Sequence, residues 1–269
     1  MEMKKIYSLF LVVLILAVPA AGARAEEDSD FAVVGGVSFG FKDVGFDITG
    51  KKFKPQFVTV DVSFTAAYKR AYLTLDYDPS IKDYVTHDDA PNANGGIDNQ
   101  TLLFSRLDYS ATLGYNVWRD LNLFAGYKFG ETRVNLFSDA TVFDTFPPTE
   151  LERLNQEVSL RESGPFAGLS YAFRFEKGSL SMSAAYAKLG GKFVFTNIAG
   201  KVVSKGDTDG LSIGLGWSGP LAGNLSYAVG YKGHRYKYRQ DSITDTNTPE
   251  DFSSDVSYNM FYIGIANYF

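Results

Sequence analysis

Leu211-Ser212-Ile213-Gly214-Leu215-Gly216-Trp217 is the stretch that decides the fold class. Its odd positions are large and apolar, and its even positions are tiny. Residues 225–231 repeat the arrangement, with Leu225, Tyr227, Val229 and Tyr231 set against Ser226, Ala228 and Gly230. Residues 103–117 set Leu107, Tyr109, Leu113 and Tyr115 against Arg106, Asp108, Ser110, Thr112 and Gly114. A period of two gives each strand one apolar and one polar face. In a soluble sandwich the apolar face would fill a core. Here it ends in Tyr, Phe or Trp, while the opposite face is Gly, Ala, Ser or charged. Small and polar residues suit a narrow lumen, and large apolar residues with aromatic ends suit lipid. In lipid only helices and closed barrels satisfy every backbone group. The pattern predicts an all-β chain folded as a transmembrane β-barrel.

Working outward, the alternation defines ten antiparallel strands, at about 31–42, 54–68, 71–82, 101–117, 121–135, 158–175, 180–194, 208–217, 224–238 and 254–269. Eight or twelve strands remain open, twelve requiring a hairpin within 136–157. Alternate connections are short: Lys69-Arg70, Arg119-Asp120, 176–179 and 218–223. The others are long: 43–53, 83–100, 136–157, 195–207 and 239–253. Short periplasmic turns alternating with long extracellular loops are expected of such barrels. Thr149-Glu150-Leu151-Glu152 forms a capping box, which predicts a short helix over about 149–156.

The first 25 residues read as a cleaved signal peptide. Lys4 and Lys5 supply a basic start, residues 6–18 an apolar core, and Ala23-Arg24-Ala25 an A-x-A cleavage site. The barrel domain is then 26–269. The expected location is the outer membrane of a Gram-negative cell, with the chain a monomer. With no cysteine, thiolate chemistry and disulfides are excluded. Two histidines, His87 and His234, leave little for histidine metal sites. The Asn92–Ile97 stretch echoes a calcium loop, but Ala90 and Thr101 stand where its key carboxylates belong. No cofactor or metal is expected. A pI near 5.1 argues against a nucleic-acid partner.

The chain closes on Tyr262-Ile263-Gly264-Ile265-Ala266-Asn267-Tyr268-Phe269. A terminal Phe269 preceded by alternating Ile265, Ile263 and Phe261 resembles the C-terminal insertion signal of bacterial outer-membrane proteins. Asn267 departs from that pattern. The resemblance implies that the outer-membrane assembly machinery reads this strand, with Tyr262, Gly264 and Phe269 as signal positions. In strand number and size the chain resembles the omptin proteases. That family implies paired acidic residues and an Asp–His couple at the extracellular mouth. Asp76-Tyr77-Asp78 and Asp207-Thr208-Asp209 supply acidic pairs, but no Asp-x-His occurs. A lipid A hydrolase would need a His–Ser couple, and no His-x-Ser occurs either.

The lumen-facing register carries Asp61, Asp76, Asp78, Arg106, Asp108, Lys128, Arg174, Lys232 and His234. These groups form either an ion-paired plug or the wall of a water-filled channel or ligand cavity. In the later strands the inward positions are nearly all Ser, Ala or Gly, which predicts open volume there. Arg106 is expected to pair with at least one of the lumen aspartates. Arg235, Lys237 and Arg239 share the outward side of one strand, above its apolar band, at the height of lipopolysaccharide phosphates. Pairing with Asp207 or Asp209 is the competing assignment. The leading functional expectation is a small porin-like pore or passive transport barrel, not an enzyme. A structural or surface-interaction barrel acting through its loops comes second, and a membrane-embedded protease or lipid A hydrolase third.

Overall fold

The computed structural model describes residues 30–48, 51–81, 84–91, 97–138, 156–197, 200–243 and 253–269. The strands are β1 (Phe31–Ile48), β2 (Lys51–Phe53), β3 (Gln56–Tyr68), β4 (Ala71–Pro79), β5 (Tyr84–Pro91), β6 (Ile97–Trp118), β7 (Leu121–Ser138), β8 (Gln156–Phe175), β9 (Gly178–Asn197), β10 (Gly200–Ala222), β11 (Leu225–Ile243) and β12 (Ser253–Tyr268). They build ten staves, because β2 with β3 and β4 with β5 are each one wall interrupted once. Pro55 sits in the first interruption, and a proline cannot donate to the ladder. Every neighbouring pair is antiparallel. β12 returns to pair with β1 from Val34–Tyr268 to Gly45–Ser257, so the sheet is a closed barrel without a free edge.

Four two-residue turns, Lys69-Arg70, Arg119-Asp120, Glu176-Lys177 and Gly223-Asn224, gather with residues 30 and 269 at one end. We call this the turn end, and the opposite one the loop end. Lys69 and Arg119 hold left-handed φ angles of 54° and 47°, which non-glycine residues adopt only under strain.

The ten predicted strands are all present, but the barrel is taller than their predicted limits. β9 runs to Asn197 and β10 starts at Gly200, where a loop over 195–207 was expected. Likewise β5 and the first turn of the ladder in β6 occupy much of the expected loop 83–100. Lipid-type alternation stops where the lipid stops, but hydrogen bonding between strands needs no apolar face and continues beyond it. Gln156 opens β8, and residues 149–155 of the predicted helix lie outside the described residues. So do residues 1–25 and 92–96. No helix among the described residues is long and apolar enough to cross a membrane.

The register confirms which face is outer. Phe41 (β1), Leu113 (β6), Leu211 and Ile213 (β10), and Phe261 and Ile263 (β12) are each at least 58 % exposed, and the staves between them carry further exposed apolar side chains, among them Phe64, Leu73, Leu123, Leu169, Met182 and Val229. So much contiguous apolar surface has no place in water and marks a lipid-facing belt.

Candidate functional site

Inside the barrel the two ends differ. Near the loop end, inward positions of six staves carry large apolar side chains. Val44 (β1), Phe57 (β3), Phe104 (β6), Leu189 (β9), Tyr236 (β11) and Val256 (β12) are almost fully buried and belong to one packed cluster. The lumen is therefore filled there, by the same parity that puts Ser and Gly inward lower down.

Beneath this cluster lies a layer of charges. Arg106 (β6) has a side chain only 2 % exposed. Its Nε donates to Asp108 Oδ2 at 2.8 Å and its Nη2 to Asp108 Oδ1 at 2.6 Å. Its Nη1 donates to Thr132 Oγ1 at 2.6 Å. The guanidinium carbon lies 3.9 Å from the centre of the Tyr258 ring on β12. The Tyr258 hydroxyl in turn donates to both carboxylate oxygens of Glu162 on β8, at 3.1 and 3.2 Å. β6 and β8 flank β7, and Arg106 Nη2 lies 3.8 Å from Glu162 Oε2; β12 is on a distant wall, so the contacts of Tyr258 with both residues cross the lumen. Lys42 (β1) adds a second crossing, bonded to Asp78 and, at 2.9 Å, to Asp108. Lys128 (β7) adds a third, donating to the Tyr236 hydroxyl on β11 at 2.8 Å. Together these side chains form a diaphragm. Each buried charge has a partner, without which its desolvation would be costly.

His234 belongs to the same layer. Its Nδ1 lies 2.6 Å from Ser212 Oγ and 3.3 Å from the Tyr236 hydroxyl. The sequence places the two residues on β10 and β11, and the register sets Ser212 opposite His234. A Ser–His contact thus exists without a local motif. Among the described residues the ring's hydrogen bonds go to hydroxyls and not to a carboxylate of the kind that orients a general base.

On the turn-end side of the diaphragm the lumen opens into a cavity of about 270 Å³. Ser183, Ala185, Ser212 and Gly214 line one side of it, and Phe124 and Phe166 the other. Those two rings meet edge to face at 6.3 Å. Each lies over a glycine of the neighbouring strand: a Cβ on Gly126 would come within 2.6 Å of the Phe166 ring, and one on Gly168 within 2.6 Å of the Phe124 ring. Lys232 points inward here, 3.3 Å from Asp61 Oδ2, yet its side chain is 42 % exposed. Ser181, inward and nearer the turns, is also exposed. The cavity is a solvent-accessible cup beneath a buried diaphragm.

Of the nine lumen residues read from the sequence, eight line this cavity or the diaphragm above it: Asp61, Asp76, Asp78, Arg106, Asp108, Lys128, Lys232 and His234. Arg174 stands apart. It has the inward parity but lies at the turn-end rim, 79 % exposed and 2.7 Å from Asp120. Arg235, Lys237 and Arg239 are exposed on the outer face, and Arg239 bonds to Asp209. Farther round that face Glu131 binds Arg133 at 2.9 Å and Arg161 at 2.7 Å. At the seam, Tyr262 points inward, its hydroxyl 2.4 Å from where a Cβ on Gly230 would stand, and the Phe269 amide donates to Val33 O at 2.9 Å. Lys42, Glu162, Tyr236 and Tyr258 complete the diaphragm and were not singled out from the sequence. Carrying the inward parity a few positions past each lipid-type segment finds all four.

No protein-family model matches the chain, and no curated protein matches it. Solved structures do. The outer membrane protease OmpT from Escherichia coli is similar over 89 % of this chain and 96 % of its own, at 12 % identity and a TM-score of 0.53. The translocator domain of autotransporter NalP from Neisseria meningitidis covers 98 % of this chain and 96 % of its own, at 8 % identity and a TM-score of 0.44. Ail, the attachment invasion locus protein of Yersinia pestis, covers 88 % and 99 %, at 12 % identity and a TM-score of 0.36. At these identities the likeness is one of fold: the chain is a small ten-stranded barrel of the outer-membrane type.

Proposed function

We propose that this protein is an outer-membrane barrel closed along its axis, which acts through the surface its loop end presents outside the cell. The crossing from Arg106 through Tyr258 to Glu162 carries this reading, because it joins opposite walls with buried side chains. The packed cluster above it supports the same conclusion. On this reading the chain is not an enzyme. The fold is shared with a protease, but His234 has hydroxyl partners and, among the described residues, no Asp–His hydrogen bond forms around it. Arg235, Lys237 and Arg239 would face lipopolysaccharide phosphates on the outer surface, where charge-assisted hydrogen bonds suit an anion. On this reading the turn end lies in the periplasm, the side on which such barrels carry their short turns.

Conductance tests the central claim. In planar bilayers the folded chain should give no discrete steps, whereas a variant with both Arg106→Ala and Tyr258→Ala should give small ones. Porin-sized steps from the unaltered chain would restore the pore reading, which the turn-end cup alone favours. Orientation is tested separately. A cysteine replacing Asn94 should react with an impermeant thiol reagent on intact cells, and one replacing Lys177 only after lysis. The opposite pattern would invert the barrel.

A further inference from the structure

The charges around the cup are balanced. Lys232 on β11 reaches past β12 and β1 to Asp61 on β3, at 3.3 Å, and also attracts Asp76 on β4. Asp108 attracts Lys128 as well as Arg106 and Lys42. A guest with a net charge would upset that balance, so the cup suits a neutral one.

What the cup has to spare is hydrogen-bonding capacity. Ser110 Oγ donates to Asp76 Oδ2 at 2.9 Å, but among the described residues nothing donates to Asp76 Oδ1. Unlike Asp61 Oδ1 and Asp78 Oδ1, that oxygen is not enclosed by protein. Thr112 on β6 is half-buried, and its hydroxyl has no hydrogen bond among the described residues and is not enclosed either. Both residues line the same cavity as the half-buried rings of Phe124 and Phe166. A wholly apolar guest would cover the carboxylate oxygen and the hydroxyl without replacing their water, which is costly. A guest with hydroxyls but no apolar face would leave the rings wet.

The register sets these groups along one wall. Asp76 lies opposite Ser110, and Thr112 is two positions from Ser110 on the same face. Thr112 lies opposite Gly126, and Gly126 opposite Phe166. The Phe166 ring leans over Gly126, where a Cβ would come within 2.6 Å of it, so the ring stands beside Thr112 and not a full strand farther off. With strands about 4.8 Å apart and alternate residues about 6.8 Å apart, Asp76 and Thr112 are about 8 Å from each other along the wall. Opposite hydroxyls of a six-membered sugar ring stand about 5.5 Å apart, and a hydrogen bond of about 2.8 Å at each end extends the reach to about 11 Å. The ring's C–H groups suit the electron-rich face of an aromatic side chain. An engineered cavity of about 150 Å³ holds benzene. The cup, at about 270 Å³, has room for a six-membered ring carrying several hydroxyls.

We propose that the turn-end cup binds a neutral sugar, one hexopyranose unit. Asp76 Oδ1 accepts a hydrogen bond from one sugar hydroxyl, the Thr112 hydroxyl bonds to another, and a C–H face lies against Phe166 with Phe124 beside it. Entry is from the turn end, past exposed Ser181, so the site goes beyond the closed-barrel reading and does not depend on it.

The test is calorimetric titration of the full folded chain in a detergent without a sugar head group, since such a head group would itself compete for the cup. The probes are the methyl pyranosides of glucose, galactose and mannose, with cyclohexanol as a ring of the same size bearing one hydroxyl. At least one pyranoside should bind with a millimolar or lower dissociation constant, and cyclohexanol roughly tenfold more weakly, as expected for losing a hydrogen bond to a charged group. Asp76→Asn should weaken the best pyranoside by a similar factor, Thr112→Val and Phe166→Leu each by about threefold, and Ser226→Ala not at all. Folding of each variant is checked by heat-modifiable migration, and the probe series on the unaltered chain decides the matter even if a variant misfolds. Cyclohexanol binding as tightly as the best pyranoside would make the cup an apolar site and overturn the proposal. So would the absence of heat from all three pyranosides at tens of millimolar, which would leave the cup to water. Neither result bears on the conductance test of the closed barrel.

Discussion

Arg106 and Lys232 are both inward-pointing cations of one barrel, on β6 and β11, yet their surroundings are opposite. The Arg106 side chain is 2 % exposed and bonded on every side, while that of Lys232 is 42 % exposed and touches one carboxylate at 3.3 Å. The difference follows from what stands next to them. Around Arg106 the inward neighbours are Thr132, Tyr258 and Glu162; Lys232 stands between Gly214 on β10 and Met260 on β12, its Nζ 5.3 Å from the Tyr262 ring, and the inward positions on its turn-end side include Gly216, Gly230 and Gly264. Inward polarity alone therefore says nothing about whether a lumen is wet. The bulk of the neighbouring inward residues decides it.

The sharpest way to break this comparison is to remove each cation in turn. Arg106→Ala leaves the buried Glu162 without the cation 3.8 Å from it and Asp108 with Lys42 alone, which should cost roughly 3–5 kcal/mol. Lys232→Ala removes a partly solvated pair and should cost about 1 kcal/mol or less. Urea unfolding in lipid vesicles measures both, and equal losses would mean that the cup is as dry as the diaphragm. Filling the lumen gives the next largest effect. A Cβ on Gly126 meets the Phe166 ring at 2.6 Å and a backbone carbonyl at 2.2 Å, so Gly126→Val should destabilise by about 1–3 kcal/mol through overpacking. Gly214 faces only the movable Ser183 Oγ at 2.4 Å within 3 Å, so Gly214→Ala should change stability by less than about 0.5 kcal/mol. A large loss at Gly214 would show that the cup is already full. The smallest effect belongs to Arg174, which has the same inward parity as Arg106 but stands at the rim. Arg174→Ala should cost only about 0.2–1 kcal/mol, and less at high salt. The three cations thus form a depth series, and a loss at Arg174 approaching that at Arg106 would collapse it.

The barrel and its register were legible because alternation reports a face at every position. Leu211, Ile213 and Leu215 are outward, and Ser212 and Gly214 inward, as their sizes required. Eight charged or titratable positions reached the central lumen for the same reason. Depth was only partly legible. Arg174 and Arg106 share a parity, and only the distance of each from a two-residue turn separates rim from centre. Contacts across the lumen were not legible at all. Period two gives a residue's face and height, but not which distant wall it will touch. Hence Tyr258 meeting Glu162, and Lys128 meeting Tyr236, had no sequence signal as pairs. The Ser212–His234 contact was missed because it runs across a ladder instead of along a strand, where a motif would show.

The pairing of β1 with β12 has a consequence for how the molecule comes into being. Val34 and Tyr268, nearly the whole chain apart, are direct neighbours on the ladder. Until β12 is delivered, β1 and β11 each expose a row of unpaired amides and carbonyls, which is a template for the wrong partner. Closing so long a loop is an entropic cost met before most of the stabilising contacts exist, so folding by this route is slow. The half-made barrel is also greasy on the outside along every stave. A chain in that state is prone to wrong pairings in water, and the strand that removes the last free edge is the same one whose ending resembles an assembly signal.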